Sequence, residues 1–488
     1  MNVPVEHFMQ NQTKQNERVI LLGLDFGSTT SSALIASAKV ASNSATGRMQ
    51  LDDVQIIYKS EPVFTPFINQ NNKQNIDTKK VTQLITNWLN ESGVKVAEIF
   101  SGGSMITGLA AQTDNAAALS KLIIEMVGES VIATADDPCL ESWLAFMGSC
   151  GALSRYHADA PILNVDIGGG TTNVAQGMNG NVLQTGCYFI GARHFQFVPG
   201  SYQLTAISVY GAALLGDLSI KKTDCEILSE NACEKIINFY INMLEAILIG
   251  DADFLSSSIA KKQVQVAFNL AENNHPKITF SGGVGELVYK ISAGETLPTT
   301  TFYGDFGIDL ALAISRSALL SADLTSCVPE HKGRATVVGL TLRSTEISGN
   351  TVYLPNPDCL PLRDVPIIAK LAADSPIEQW HNAFALAAKR QQGACIQIAA
   401  CNNTLEQVRA LASQIKHALQ ASQYASCQPF IILVEANIGK ALGNYISNWG
   451  QLDYNLMVID EVALRDAHFV HIGRVQQGMI PVSFYGLS

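Results

Sequence analysis

Asn164-Val165-Asp166-Ile167-Gly168-Gly169-Gly170-Thr171-Thr172-Asn173 is the stretch whose reading decides the fold. It begins in an apolar run, Ile162 to Val165, meets an aspartate, and passes through three glycines to two threonines. Three consecutive glycines are costly to order, so a purely structural turn explains them poorly. A glycine- and hydroxyl-rich turn between two strands can instead aim several backbone N–H groups at phosphate oxygens.

The same design occurs upstream, in Gly23-Leu24-Asp25-Phe26-Gly27-Ser28-Thr29-Thr30-Ser31. There the apolar run Val19 to Leu24 leads in, and the alternating stretch Thr30 to Ala38 leads out, a strand–turn–strand pattern. Each turn carries an aspartate at the end of its first strand. A carboxylate beside bound phosphates is repelled unless a cation lies between, and Mg²⁺, often held through water, is the natural one. Asp25 and Asp166 are therefore the expected metal-facing and catalytic carboxylates, Asp166 also being placed to orient an attacking water. The two turns are expected to approach one polyphosphate from opposite sides. Gly27, Ser28, Thr29 and Thr30 form one side, and Gly168, Gly169, Gly170, Thr171 and Thr172 the other.

A third glycine-rich turn, Ser281-Gly282-Gly283-Val284-Gly285-Glu286, follows the short strand Ile278 to Phe280 and precedes a helix expected from Leu287. Gly282, Gly283 and Gly285 would let a base and ribose lie against the backbone, with Glu286 accepting from ribose hydroxyls. Other nucleotide motifs fail. Gly439-Lys440 has Val434 where a phosphate-loop glycine belongs and Ala441 after the lysine, and no G-x-G-x-x-G follows a strand.

The chain has 488 residues, 47% apolar and 15% charged, which predicts two to four compact units and excludes intrinsic disorder. Its net charge of -11, without a basic cluster, argues against nucleic acid as a partner. No apolar run approaches the roughly 18 residues of a membrane span. Residues 1–17 lack the apolar core of a signal peptide and read as a flexible extension. The ten cysteines contain no Cys-x-x-Cys pair and read as reduced core residues. Asp466, His468 and His471 lie close in sequence, but on a strand and the next turn, so they are not read as a metal site.

The order is hairpin, helices, hairpin, helices, followed after the prolines at 355, 357 and 361 by a separate pattern of strands and helices. The expected division is a first lobe at 18–160, a second at 161–349 and a C-terminal α/β unit at 350–488. Lys440 reads as a surface lysine, and Glu435 and Asp460 as strand-end caps.

These three turns, in this order, resemble the actin, sugar-kinase and DnaK-type chaperone superfamily. The resemblance implies an α/β protein of actin-like ATPase fold, whose two ribonuclease-H-like lobes close over ATP and Mg²⁺. It implies that Leu140 to Gly148 is the first connecting helix, with Glu141 a third catalytic residue near metal and water. The second connecting helix is either Gly307 to Ser315 or Ala335 to Thr341.

A closer resemblance, to the EutA family of ethanolamine-utilisation proteins, covers nearly the whole chain. It rests on Pro62 to Phe67, Leu140-Glu141-Ser142, Asn164 to Asn173, Ser281 to Glu286, Tyr303 to Gly307, Gly439 to Gly443 and Val458 to Val462. The family implies an ATP-dependent, chaperone-like reactivating factor whose partner is ethanolamine ammonia-lyase, an adenosylcobalamin enzyme. It would release damaged cobalamin so that intact coenzyme rebinds, with ATP hydrolysis coupled to that exchange. It also implies a cytoplasmic location, with an ethanolamine-utilisation microcompartment as a candidate place of association. Leu109, Gln112, Asp114 and Ala192 depart from the family pattern. The alternative is a small-molecule kinase of the same superfamily, which would need a general base in the cleft; a filament-forming actin relative ranks third.

Overall fold

The computed structural model describes residues 18–487 except 43–48, 71–72, 129–130, 221–226, 271–274, 350, 391–392, 400–402, 423, 426 and 477. The expected extension at 1–17 lies outside the described residues.

In the first lobe, β1 (Arg18–Phe26), β2 (Thr30–Ser42) and β3 (Met49–Lys59) form an antiparallel meander. Next come helix α1 (Thr78–Ser92), β4 (Ile99–Ile106), helix α2 (Ala116–Val127) and β5 (Val131–Ala135). The strand order is β3-β2-β1-β4-β5, with β4 parallel to β1 and β5 parallel to β4. Asp77 caps α1 by accepting from the Lys80 N–H, and Gly93 ends it in the left-handed conformation. The helix buries Val81, Ile85 and Trp88 against the sheet, the face its spacing predicts.

Helix α3 (Pro138–Ser149) leads out of this lobe. The second lobe repeats the plan with β6 (Ile162–Ile167), β7 (Thr172–Met178), β8 (Asn181–Tyr188), α4 (Glu230–Ile249), β9 (Val264–Val266), β10 (Lys277–Ser281), α5 (Gly282–Ser292) and α6 (Gly307–Arg316). Its order is β9-β8-β7-β6-β10, antiparallel except that β10 runs parallel to β6. All of β6 is buried, including the polar Asn164 and Asp166, whose side chains are held by the Ser281 hydroxyl. The helix expected from Leu287 starts at Gly282 instead, so the third glycine turn is its first turn.

Helix α7 (Ala335–Leu342) lies against β1, β2 and β4 of the first lobe and against α3, which itself packs on β7 and β8 of the second. A Cβ on Gly148 of α3 would stand 2.0 Å from the Ala335 carbonyl oxygen, and one on Gly339 would stand 2.1 Å from that of Leu144. Glycine at both points lets the two helix backbones touch where they cross. The same helix meets β1 at Gly23, where a Cβ would lie 2.1 Å from Thr341 Oγ1. By contrast, α6 gives Ile308, Leu310, Ala311 and Ile314 to the core of the second lobe. The second connecting helix is therefore Ala335–Leu342. Two ribonuclease-H-like sheets joined through α3 and α7 make an actin-like ATPase fold.

The third sheet contains β11 (Thr345–Ser348), β12 (Leu362–Ala372), β13 (Ala394–Ala399), β14 (Phe430–Val434), β15 (Leu456–Ile459), β16 (Ala467–Ile472) and β17 (Ile480–Leu487). Its order is β11-β17-β16-β12-β13-β14-β15. The half from β12 to β15 is parallel, with helices α8 (Ile377–Ala387), α9 (Leu405–Ala421) and α10 (Gly439–Ile446) as crossovers. The other half is antiparallel. It takes in β11, which lies upstream of position 350; four residues are too short for an alternation to show in sequence. The chain's last strand docks on α3. The Gly486 N–H donates to Asp137 Oδ2 at 2.6 Å, and Tyr485 and Leu487 pack with Trp143, Leu140 and Leu144. Among the described residues no helix is long and apolar enough to cross a membrane.

Candidate functional site

The first two glycine turns have one geometry. The Gly27 N–H donates to the Thr30 carbonyl at 2.9 Å, and the Gly168 N–H to the Thr171 carbonyl at 2.9 Å. Asp25 pairs across its hairpin with Ser32, and Asp166 with Asn173 at the same spacing. The turns also touch one another. A Cβ on Gly169 would lie 2.1 Å from Thr29 Oγ1, and one on Gly170 would lie 2.8 Å from the Leu109 nitrogen. Ser28 Oγ accepts from that Leu109 N–H at 2.6 Å. The glycine run thus serves close approach of loop to loop, and the second lobe closes on the first through it.

A cleft of about 490 Å³ lies between the lobes, a size that suits a nucleotide. Its walls include Asp25, Gly27, Ser28, Thr29, Thr30, Glu141, Asp166, Gly168, Gly169, Gly170, Thr171, Gly282, Gly283 and Glu286. Two residues expected there are turned to packing. The Thr172 hydroxyl is buried and donates to the Ile190 carbonyl at 2.8 Å. Gly285 faces the backbone of Phe280, where a Cβ would lie 2.9 Å away.

Three carboxyl groups sit within electrostatic reach of each other. Burial, and then the charge of Asp166, push Asp25 from the usual 3.8 up to about 7, and its Oδ1 is buried without a partner. Burial raises Asp166 to about 6. Ser281 Oγ pulls the other way by donating to Asp166 Oδ2 at 2.6 Å, and is itself held by Asn164 Nδ2 at 2.9 Å. Glu141 is driven well above the ordinary range by burial and by the charges of Asp25 and Asp166, against donation from Asn173 and Thr107. Three acids kept this far from water favour an added positive charge. Among the described residues no three His, Cys, Asp or Glu groups stand close enough to hold a metal by themselves. A divalent cation here depends on water and ligand oxygens, the habit of Mg²⁺, and the orphaned Asp25 oxygen is an acceptor that fits it.

Sequence reasoning gave no role to several neighbours. Arg193 places its guanidinium 5.8 Å from the Phe64 ring, second lobe to first, and Asp305 supports its charge. Arg334 donates to the Ser60 carbonyl and faces Glu61 and Glu286. The segment both arginines touch is tied to the first turn, through Thr65 Oγ1 to the Gly27 carbonyl at 2.6 Å and Thr65 N–H to Thr29 at 3.0 Å. Arg193 follows Gly191-Ala192 and Arg334 follows Gly333, and neither spacing marks a cleft arginine in sequence. Glu286 is half-exposed and pairs with Lys290 at 3.1 Å.

Away from the cleft, His471 is buried in β16, His468 is exposed, and Asp466 pairs with Lys370 at 3.0 Å, so the three do not meet. Asp460 Oδ2 accepts from the Gly439 N–H at 2.7 Å and from Thr351 Oγ1 at 2.7 Å, which fills the start of α10, with Lys440 exposed beside it.

A family model described as ethanolamine utilisation protein EutA matches residues 17–487. Two curated relatives named ethanolamine ammonia-lyase reactivase EutA each align with 97% of this chain and 99% of their own. One, from Salmonella typhimurium, is 26% identical over 483 residues; the other, from Escherichia coli, is 25% identical over 492. Among solved structures, the Aquifex aeolicus PPX-GPPA enzyme is 14% identical and covers 67% of this chain and 92% of its own, at a TM-score of 0.34. The chain belongs to the EutA family.

Proposed function

We propose that this member of the EutA family is a reactivating factor for ethanolamine ammonia-lyase, which uses ATP bound between its lobes to free the lyase of damaged cobalamin. Intact adenosylcobalamin then rebinds. The observation that carries the reading is the meeting of Asp25, Asp166 and Glu141 in one cleft beneath two matching glycine turns. The reactivase name of relatives aligned end to end supplies the partner.

On this reading the N–H groups of Ser28 and Thr29 and of Gly169 and Gly170 orient the phosphates, while those of Gly27 and Gly168 close their own turns. Mg²⁺, held by Asp25 and Asp166 through water, would supply neutralisation of the phosphate charge. Asp166 orients the water that attacks the terminal phosphate. Glu141, whose carboxyl is pushed well above the ordinary range by burial and by Asp25 and Asp166, holds a proton more tightly than a solvated glutamate, and positive charge entering the cleft weakens that hold. A ligand gripping both turns stabilises the closed state, and the lobes move about the glycine crossing of α3 and α7. A lyase that binds one lobe arrangement better is then gripped or released as ATP turns over. The protein works where the lyase is held, in the cytoplasm or a microcompartment.

The test is recovery of cyanocobalamin-inactivated ethanolamine ammonia-lyase in the presence of Mg-ATP and free adenosylcobalamin. Recovery with ATP, together with ATP hydrolysis lacking any phosphoryl acceptor, is expected. No recovery of the cognate lyase would overturn the function, and equal recovery without nucleotide would overturn the ATP dependence alone.

A further inference from the structure

Helix α3 has two working faces. Glu141 looks into the nucleotide cleft, whereas Cys139, Trp143 and Met147, four residues apart, line a separate groove of about 1080 Å³. First lobe, second lobe and C-terminal unit all contribute to its walls. We infer that this groove binds a small organic anion, carrying phosphate or carboxylate, between Arg155 and Arg343.

Charge is the first argument. The groove is lined by Arg155, Arg343, Lys370 and Arg465 against Glu346 and Asp466, an excess of two positive charges in a chain of net charge -11. Lys370 is paired with Asp466 at 3.0 Å, and Arg465 with Glu346 at 2.5 Å. Arg155 and Arg343 are both exposed and stand close enough to repel one another. Glu346 attracts Arg343 but is already held by Arg465. Among the described residues neither of the two guanidinium groups makes a direct hydrogen bond or ion pair. Two such forks facing one space suit an oxyanion, which each can grip with paired N–H groups.

Shape is the second argument. Arg465 stacks 4.3 Å from the Trp143 ring, which makes a flat floor, and Met147, Leu183 and Leu342 add apolar wall. That wall fits the carbon body of an organic anion better than a bare inorganic ion. Position is the third. Arg343 caps the end of α7, and Arg155 lies in the short helix Gly151–Tyr156 that continues α3. A bound anion would tie together the ends of the two helices that join the lobes. This site does not depend on the reactivase reading.

The test is equilibrium binding to the whole protein, with pyrophosphate and citrate as separate probes. One probe should bind. Arg155→Gln and Arg343→Gln should each weaken it about tenfold, and Arg343→Lys less, with melting curves unchanged. Preference for pyrophosphate assigns the phosphate class, and preference for citrate the carboxylate class. Both substitutions lie outside the nucleotide cleft, so a probe bound there would be indifferent to them. Binding that survives both glutamine variants, or no binding of either probe, would overturn the proposal.

Discussion

Replacing Asp25 by asparagine should stabilise the ligand-free protein, although it removes a carboxylate proposed to face Mg²⁺. The carboxyl is pushed from 3.8 to about 7 by burial and by Asp166. A raised acid pKa means that the folded state holds its proton more tightly than the unfolded chain. The contribution of this group to stability is therefore fully present below pH 4 and is lost as pH rises through 7. At pH 8 the full shift corresponds to about 4 kcal/mol, and water in the cleft reduces this to about 2 kcal/mol. At pH 5 the same reasoning leaves less than half of that. Asparagine keeps the shape and removes the charge, so Asp25→Asn should raise Tm at pH 8 by about 4–8 °C for a lobe of this size, and by much less at pH 5. Differential scanning fluorimetry at both pH values, with and without Mg-ATP, is the assay. Mg-ATP should stabilise the native protein more than the variant. An equal gain at the two pH values, or a loss of stability at pH 8, would refute the argument that Asp25 is a strained, desolvated charge facing Asp166.

Asp166→Ala should leave a folded protein with no measurable ATP turnover, followed by phosphate release; full activity would remove the site assignment. Gly339→Ala drives a methyl group towards the Leu144 carbonyl, which cannot move without shifting α3, and should cost about 1–3 kcal/mol in urea unfolding. Asp137→Ala removes both the cap of α3, donated by Leu140, and the tether to Gly486. It should cost about 1–2 kcal/mol and loosen the C-terminal strand, as read by limited proteolysis.

Much of this site was legible because turn chemistry is local. An apolar strand, an aspartate and a run of glycines specify a hairpin whose aspartate sits at the strand end, whatever lies around it. The two turns accordingly share the same hydrogen bond and the same cross-strand register. Strands such as Phe430–Val434 and helices such as Ala116–Val127 match their sequence periods for the same reason. The third turn was harder. Its glycines belong to the helix they precede, and Gly285 packs on Phe280 rather than facing the cleft.

The sequence by itself therefore determined the repeated turn, the two aspartates and the order of elements, all of which depend on neighbours a few residues apart. Only the tertiary structure decided which apolar helix joins the lobes. Periodicity shows that a helix is buried, not what buries it, and α6 and α7 differ in their partners rather than their pattern. The same holds for the Ser281 bond to Asp166 across 115 positions, for Arg193 over Phe64, and for Gly486 on Asp137. The raised pKa values belong with these contacts: desolvation is a property of what surrounds a carboxylate, and folding brings those surroundings together from both lobes.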